Sequence, residues 1–496
     1  MMITMMINNK RILNKDSVTF ILPATLCITI GFAYMFLLDY ITVPWTDEVG
    51  TADTPINFVT KGKWTSGIWQ YTYNQLHAYL YVIWFKIFGV SRLAVCSMDI
   101  ATSCITMLLL HRIMIYRLHI KNMLLLTSFV FLIMGGLVMM HIIMSGRIDP
   151  LAILFATLLS ETIIEKGERW KVFVYSFVLF ASATYPVPLI GLFIVYLLIS
   201  DSSQRGRHLN DLFLFVAGVL CSLFVICCLF KNQGLLYTYL YSFFFHSSHG
   251  GDLIHKFIGA YTLDIEGMTI FGGAIFICVV VRKRISNTTW KYASFMLAIP
   301  ALMVLSGRYV VYYTWLFYLP VSILLIYMLS VLNSSKVNIG VFLFSVFLLV
   351  GIALARYQKN IPANRDILYY YEEYGNMKDL NFVFMGNEHP YYVLRERHHL
   401  YFVHPHFTDH QPTDERFVDH SMIYVKRDMG FDSSLLYQKS LAEIPYHMIP
   451  ANGYLIMNHV KTMDEDLKTF EKVYGVKTEF VKKTECDIIY KYTAKK

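Results

Sequence analysis

Apolar blocks separated by short polar turns fill the chain from residue 18 to residue 354. They cover 18–38, 93–115, 123–144, 150–165, 171–184, 186–200, 210–230, 267–281, 290–306, 310–330 and 336–354. A helix rises about 1.5 Å per residue and a bilayer core is about 30 Å thick, so this pattern predicts an α-helical polytopic membrane protein with about eleven transmembrane helices. The stretch 171–200 is split at Thr184-Tyr185-Pro186-Val187-Pro188, where the prolines break or kink a helix. Beyond Arg356 hydrophobicity drops, and helix-like stretches (Asp366 to Tyr374, Met463 to Tyr474) alternate with strand-like ones (Asn381 to Met385, Gly453 to Met457, Asp487 to Tyr492). The expected organisation is a transmembrane domain over 1–354 and a small C-terminal α/β domain over 355–496.

Charge gives this pattern a direction. Lys and Arg gather at 10–15, 112–121, 165–171, 205–207, 282–291 and Lys336, which are therefore expected on the cytoplasmic side together with the N-terminus. Splitting 171–200 keeps Arg282-Lys283-Arg284 inside. The outer side then receives the loop 39–92, the short turns near residues 147 and 308, and the C-terminal domain. Within 39–92, residues 68–90 carry Trp69, Tyr71, Tyr73, Tyr79, Tyr81 and Trp84, the aromatic content of a helix lying in the outer interface. Residues 18–38 span about 31 Å as a helix and lack a small-residue cleavage site, so they read as a retained span and not a signal peptide.

Composition agrees with the pattern. Of 496 residues, 56% are hydrophobic and only 16% charged, and the mean hydropathy is +0.46, more apolar surface than a soluble domain needs. The net charge of +8 is spread over many short loops, which excludes a nucleic-acid-binding surface. Seven of the eight cysteines (Cys27, Cys96, Cys104, Cys221, Cys227, Cys228, Cys278) lie in apolar segments and read as packing; Cys486 has no evident partner.

The outer mouth collects the candidate chemistry. Asp47 and Glu48 stand in the first loop, Arg92 opens the second span, Arg147 and Asp149 lie between the third and fourth, and Arg308-Tyr309 precede Tyr313 in a later turn. Outer turns ordinarily lack Lys and Arg, so these arginines call for an anionic partner, either a neighbouring Asp or a ligand. Guanidinium forks suit phosphate oxygens, and a nearby carboxylate suits proton abstraction. The alternative for Asp47 and Glu48 is that they cap an interfacial helix.

The order Asp47-Glu48, Gly62-Lys63-Trp64, Phe88-Gly89 before Arg92, Arg147-x-Asp149 opening a span, and Arg308-Tyr309 leading through Tyr313 to Pro320 resembles the integral-membrane glycosyltransferases of the GT-C fold. Within that fold it is similar to the protein O-mannosyltransferases and the lipid A aminoarabinose transferases, over about 45–330. The resemblance implies transfer of a sugar from a polyprenyl-phosphate donor to an acceptor hydroxyl of a lipid, glycan or protein outside the cytosol. It implies Asp47 as general base, Glu48 as support for the acceptor, Arg92 as an organiser of the first loop, and Arg147 or Arg308, with Tyr309, as the phosphate site. Asp149 and Tyr313 complete the implied mouth, and the family branch implies a bacterial cytoplasmic membrane. Three features depart from the family. Pro55 interrupts the helix after the acidic pair, no Lys-Pro-Pro-like turn occurs around Ser66 to Asn74, and Thr184-Tyr185-Pro186 replaces a Thr-Lys-Gly sequence. The lysines left as outward phosphate candidates are Lys61, Lys63 and Lys231.

Such a transfer requires no metal cofactor; a metal-assisted variant would use Asp47 with Asp149. The histidines His246, His249, His255, His389, His398, His399, His404, His406, His410 and His420 lack the spacing of a zinc motif and read as surface residues. The aromatic run Tyr237 to Phe245 reads as an interfacial belt. Two other classes compete: a transporter or lipid-linked glycan flippase, and a non-catalytic envelope scaffold. A transporter places ionisable residues near the bilayer midplane, whereas these spans read as almost free of charge between their ends, and no Gly-Lys-Ser or Gly-Lys-Thr loop occurs.

Overall fold

The structure, a computed structural model, describes residues 16–44, 46–62, 75–232, 236, 239, 265–305, 315–385, 389–403, 449–459 and 464–495. The apolar blocks are helices. α1 (Asp16–Ile41), α2 (Thr46–Lys61), α3 (Gln75–Phe88) and α4 (Arg92–Tyr116) are followed by α5 (Met123–Gly135), α6 (Leu137–Ile143), α7 (Asp149–Ile164), α8 (Arg169–Ser182) and α9 (Val187–Ser200). Then come α10 (Arg205–Asn232), α11 (Ile265–Val281), α12 (Asn287–Leu305), α13 (Trp315–Leu332) and α14 (Ser335–Tyr374). Among the described residues, five helices are each long and apolar enough to cross a bilayer: α1, α4, α10, α13 and α14. The predicted break in 171–200 falls between α8 and α9.

Two expectations about helix continuity are corrected. The block 123–144 is two helices, because Gly136 after Gly135 adopts an extended conformation (φ −62°, ψ 138°) that ends α5. Pro55, by contrast, does not interrupt α2, which runs through it to Lys61. A proline inside a helix costs about 3 kcal/mol. Here the helix is held on both sides of the proline, by the buried Val49, Ala52 and Ile56 and by Asp53, which accepts from Asn57 Nδ2 at 3.1 Å.

Small residues bring helices close. α10 packs along α8 at Gly218, where an added Cβ would overlap Ser176 Oγ and the Phe173 carbonyl. Without a hydrophobic drive between helices in lipid, such backbone proximity supplies the dispersion contact that holds a bundle. α1 packs on α4, α5 and α14, and α7 on α4 and α8, so one continuous apolar core runs through the helical part.

The remaining chain forms a five-stranded sheet of order β2-β1-β3-β5-β4, from β1 (Asn381–Met385), β2 (His399–Val403), β3 (Asn452–Asn458), β4 (Val476–Lys483) and β5 (Asp487–Ala494). β1 runs parallel to β2 and β3, while β5 is antiparallel to β3 and β4. The period-2 alternation of the strands sorts their apolar residues onto two faces. Val383, Met385, Leu455 and Met457 pack with Phe470 of α16 (Asp464–Tyr474), and Phe382, Phe384, Ile456 and Ile489 pack with Tyr370 and Tyr374 of α14. The 40-residue α14 thus leaves the bundle and becomes one layer of the sheet domain. Between β1 and β2 a single turn, α15 (Tyr391–Leu394), reaches back to the bundle.

Candidate active site

The buried carboxylate of Glu48 lies where α2 meets the start of α4. Arg92 Nε donates to Glu48 Oε1 at 3.2 Å, and Nη1 donates to the Thr42 carbonyl at 2.6 Å and to Asp39 Oδ1 at 3.3 Å. Nη2 donates to Thr42 Oγ1 at 2.9 Å. The C-terminal end of a helix offers unpaired carbonyls and a partial negative charge, so one guanidinium satisfies the end of α1 and fixes Glu48 at the same time. Burial pushes the Glu48 carboxyl above the usual carboxylate range, while Arg92 pulls it back down.

Glu48 is also covered by a turn that only glycine permits. Gly146 has φ +61°, and a Cβ there would meet Val95 Cγ1 at 2.5 Å and Glu48 Cγ at 2.9 Å. The next residues bring in the second pair, with Arg147 Nε donating to Asp149 Oδ2 at 2.7 Å. Asp149 is fully buried at the head of α7, where Pro150 needs no hydrogen-bond partner. Its other oxygen accepts from the Tyr185 hydroxyl and from Trp315 Nε1 at 3.3 Å, and the same indole N–H lies 2.8 Å from the Tyr185 oxygen. One carboxylate therefore ties α7 to the break between α8 and α9 and to the start of α13.

A third acid completes the cluster. Asp99, buried two turns into α4, lies 3.5 Å from His77 Nε2 of α3 and close to Arg147 and Asp149. This corrects the expectation of spans almost free of internal charge. An acid inside an apolar span is itself a functional-site signal, and that signal was available at Asp99.

The sheet domain closes the cluster from the other side. Tyr391 donates to Asp53 Oδ1 of α2 at 2.5 Å and accepts from Arg395 Nε at 2.9 Å, and Tyr392 lies near Glu48. Asn360 of α14 donates to the carbonyl of Ile41 at the end of α1. Nothing in the local sequence of 389–395 marks it as part of the mouth.

Of the residues singled out from sequence, Glu48, Arg92, Arg147 and Asp149 are brought together at this end of the bundle. Asp47 lies in the first turn of α2 beside Glu48, its side chain outside the described residues. Arg308, Tyr309, Tyr313, Lys63, the run Tyr237 to Phe245 apart from Tyr239, and the histidines at 246, 249, 255, 404, 406, 410 and 420 also lie outside them. Tyr239 is fully buried and stacks on Phe230, so this member of the run packs inside the bundle and not in an interfacial belt. Lys61 and Lys231 are exposed, and His399 is exposed as expected. His389 and His398 are not surface residues but are buried beneath the sheet domain, His398 with Nε2 3.1 Å from the Tyr374 carbonyl. All eight cysteines are free thiols.

The crystal structure of ArnT from Cupriavidus metallidurans bound to undecaprenyl phosphate superposes with a TM-score of 0.61 over 94% of this chain and 97% of that one, at 11% identity. Its apo state gives 0.59 over the same shares, at 12% identity. The chain has the GT-C fold of ArnT. No family model and no curated protein sequence matches it. At such low identity the likeness concerns the path of the chain, and the chemistry must be argued from the residues themselves.

Proposed function

We propose that the protein is a membrane glycosyltransferase that moves a hexosyl or pentosyl group from a polyprenyl-phosphate carrier to an acceptor hydroxyl on the extracytoplasmic face. The observation that carries this reading is a cavity of about 510 Å³ between α4, α7, α9, α12 and α13. Its wall is mostly apolar, with Ile113, Leu189, Phe193, Ile299 and Leu319 among the lining residues, carries Arg117, Glu161 and Glu165 as well, and reaches Trp315. Trp315 bonds to Asp149, and Asp149 to Arg147. A largely apolar slot linked through Trp315 and Asp149 to a guanidinium suits an isoprenoid chain with an anionic head. The solved ArnT complex holds undecaprenyl phosphate on the same fold, which supports the reading.

In this scheme Asp47 takes the proton of the acceptor hydroxyl as its oxygen attacks the anomeric carbon. The bond from that carbon to the phosphate oxygen breaks, and the electron pair leaves with the polyprenyl phosphate. Arg147 and Arg308, with Tyr309, meet the charge developing on the phosphate. Glu48 supports the acceptor, Arg92 holds the first loop, and Asp149 and Tyr313 shape the mouth. A single displacement inverts the anomeric centre, and no metal is required for it.

The decisive experiment is a cell-free assay in which radiolabelled polyprenyl-phosphate sugars are presented with membrane extracts as acceptors. Label transferred by the wild type is the expected result; donor bound or translocated without transfer identifies a flippase. Arg147→Ala should lower donor affinity about 10- to 150-fold, since a charge-assisted hydrogen bond to phosphate contributes about 1.5–3 kcal/mol. Arg147→Lys should recover only part of it, because an ammonium lacks the planar fork. Unchanged donor affinity in a folded Arg147→Ala protein makes the arginine a partner of Asp149 alone.

The reading also requires the site to face away from the cytosol, in an inner membrane with the N-terminus cytoplasmic and 355–496 outside. Topology reporters fused after Lys121 and Lys291 should be active only in the cytosol, and one after Lys359 only outside. An external signal at Lys291 overturns the split of 171–200 and puts Arg308 on the wrong face for the proposed site.

A further inference from the structure

We infer that the sheet domain carries a divalent metal site, built from Asp366, His389 and Asp487, which pins the docking segment 389–395 to the domain. Three distant parts of the sequence converge here: Asp366 from the outer part of α14, His389 from the segment before α15, and Asp487 from the first position of β5. All three are buried, and their donor atoms lie within 4.8 Å of one another. His389 Nε2 is 3.2 Å from Asp487 Oδ2 and 4.0 Å from Asp366 Oδ2. Zinc bonds of about 2.0–2.1 Å in a tetrahedral arrangement place donor atoms roughly 3.3 Å apart. The His389–Asp487 pair already has that spacing, the His389–Asp366 pair is under about 1 Å wider, and the two carboxylates, within 4.8 Å of each other, need at most about 1.5 Å, within the reach of side-chain adjustment.

Charge and hydrogen bonding favour an ion over a bare cluster. One imidazole, even protonated, balances a single negative charge, whereas a divalent cation balances both carboxylates and leaves the imidazole neutral as a ligand. The carboxylates are oriented by other groups, as ligating carboxylates are. Asp366 accepts from Thr484 Oγ1 at 2.6 Å and from the backbone N–H groups of Glu485 at 3.0 Å and Cys486 at 2.8 Å, while Asp487 accepts from the Tyr370 hydroxyl at 2.8 Å. An N, O, O donor set fits zinc. Pro390 and Tyr391 follow His389 directly, so the ion is anchored two residues from the hydroxyl that reaches Asp53.

The site is tested on the full-length protein, purified in detergent with a tag that contains no histidine, stripped with a chelator and titrated with ZnCl₂. One zinc retained per chain by elemental analysis, with a rise in melting temperature, is expected for the wild type. His389→Gln and Asp487→Asn should lose both the retained zinc and the rise. Because either variant may destabilise the sheet, the wild type is also treated with diethyl pyrocarbonate, and modification of His389 is read by mass spectrometry. Zinc should suppress that modification several-fold. Equal modification with and without zinc, or equal zinc retention in wild type and His389→Gln, overturns the site and leaves an Asp–His–Asp hydrogen-bonded cluster.

Discussion

Asp47→Asn is expected to abolish sugar transfer while leaving the fold and donor binding intact. A carboxamide has nearly the shape of a carboxylate but takes up no proton at neutral pH, and removal of general-base assistance lowers rates about 10²- to 10⁴-fold. The competing role for Asp47 follows from its place in the first turn of α2. A carboxylate there interacts with the helix dipole for about 0.3–1 kcal/mol, so a purely structural Asp47 would give a slightly less stable protein with full turnover. Single-turnover transfer measured beside melting temperature separates the two outcomes, and full activity in Asp47→Asn removes the catalytic assignment. Glu48→Gln discriminates further. If Glu48 only supports the acceptor, the loss is milder than in Asp47→Asn; a comparable loss means that the two acids share the chemistry.

Arg92→Ala should be the most destabilising substitution at the mouth. It strands the buried Glu48 carboxylate and leaves the Thr42 carbonyl without its 2.6 Å donor. Removing one partner of a buried ion pair costs about 3–5 kcal/mol. The double variant Arg92→Ala with Glu48→Gln should recover part of that loss, because the stranded charge goes with its partner. Thermal unfolding in detergent across this cycle gives the coupling between the two residues. Additive losses would mean that the 3.2 Å contact contributes little and that Arg92 acts on the end of α1 alone.

Much of the helical architecture was legible because lipid imposes a simple rule: a spanning segment must be apolar and must satisfy its own backbone. The Tyr185-Pro186 break was visible for the same reason, since proline cannot donate. What the break does was not visible. Tyr185 gains its meaning from Asp149 and Trp315, which lie 36 and 130 residues away in the chain. Pro55 misled because a local rule about helix interiors was outweighed by tertiary contacts on both sides of it. Among the site residues, the charged ones stood out by being misplaced in an apolar chain. Glycine and tyrosine carry no such contrast, so Gly146, Tyr391 and Tyr392 could be recognised only once the turn and the sheet domain were in place. β4 was missed because it is largely polar and solvent-facing, with an irregularity between Phe480 and Lys482 that disrupts its alternation.

α14 has a practical consequence. A helix of 40 residues is about 60 Å long, roughly twice the thickness of the hydrocarbon core, and Asn360 braces it against the end of α1 close to Pro362, where a kink would be cheapest. The sheet is thus mounted on a strut and not on a tether. An antibody fragment raised against the β4 edge should stand at one fixed angle to the membrane plane, a fiducial for particle alignment in electron cryomicroscopy of a protein otherwise hidden in its micelle.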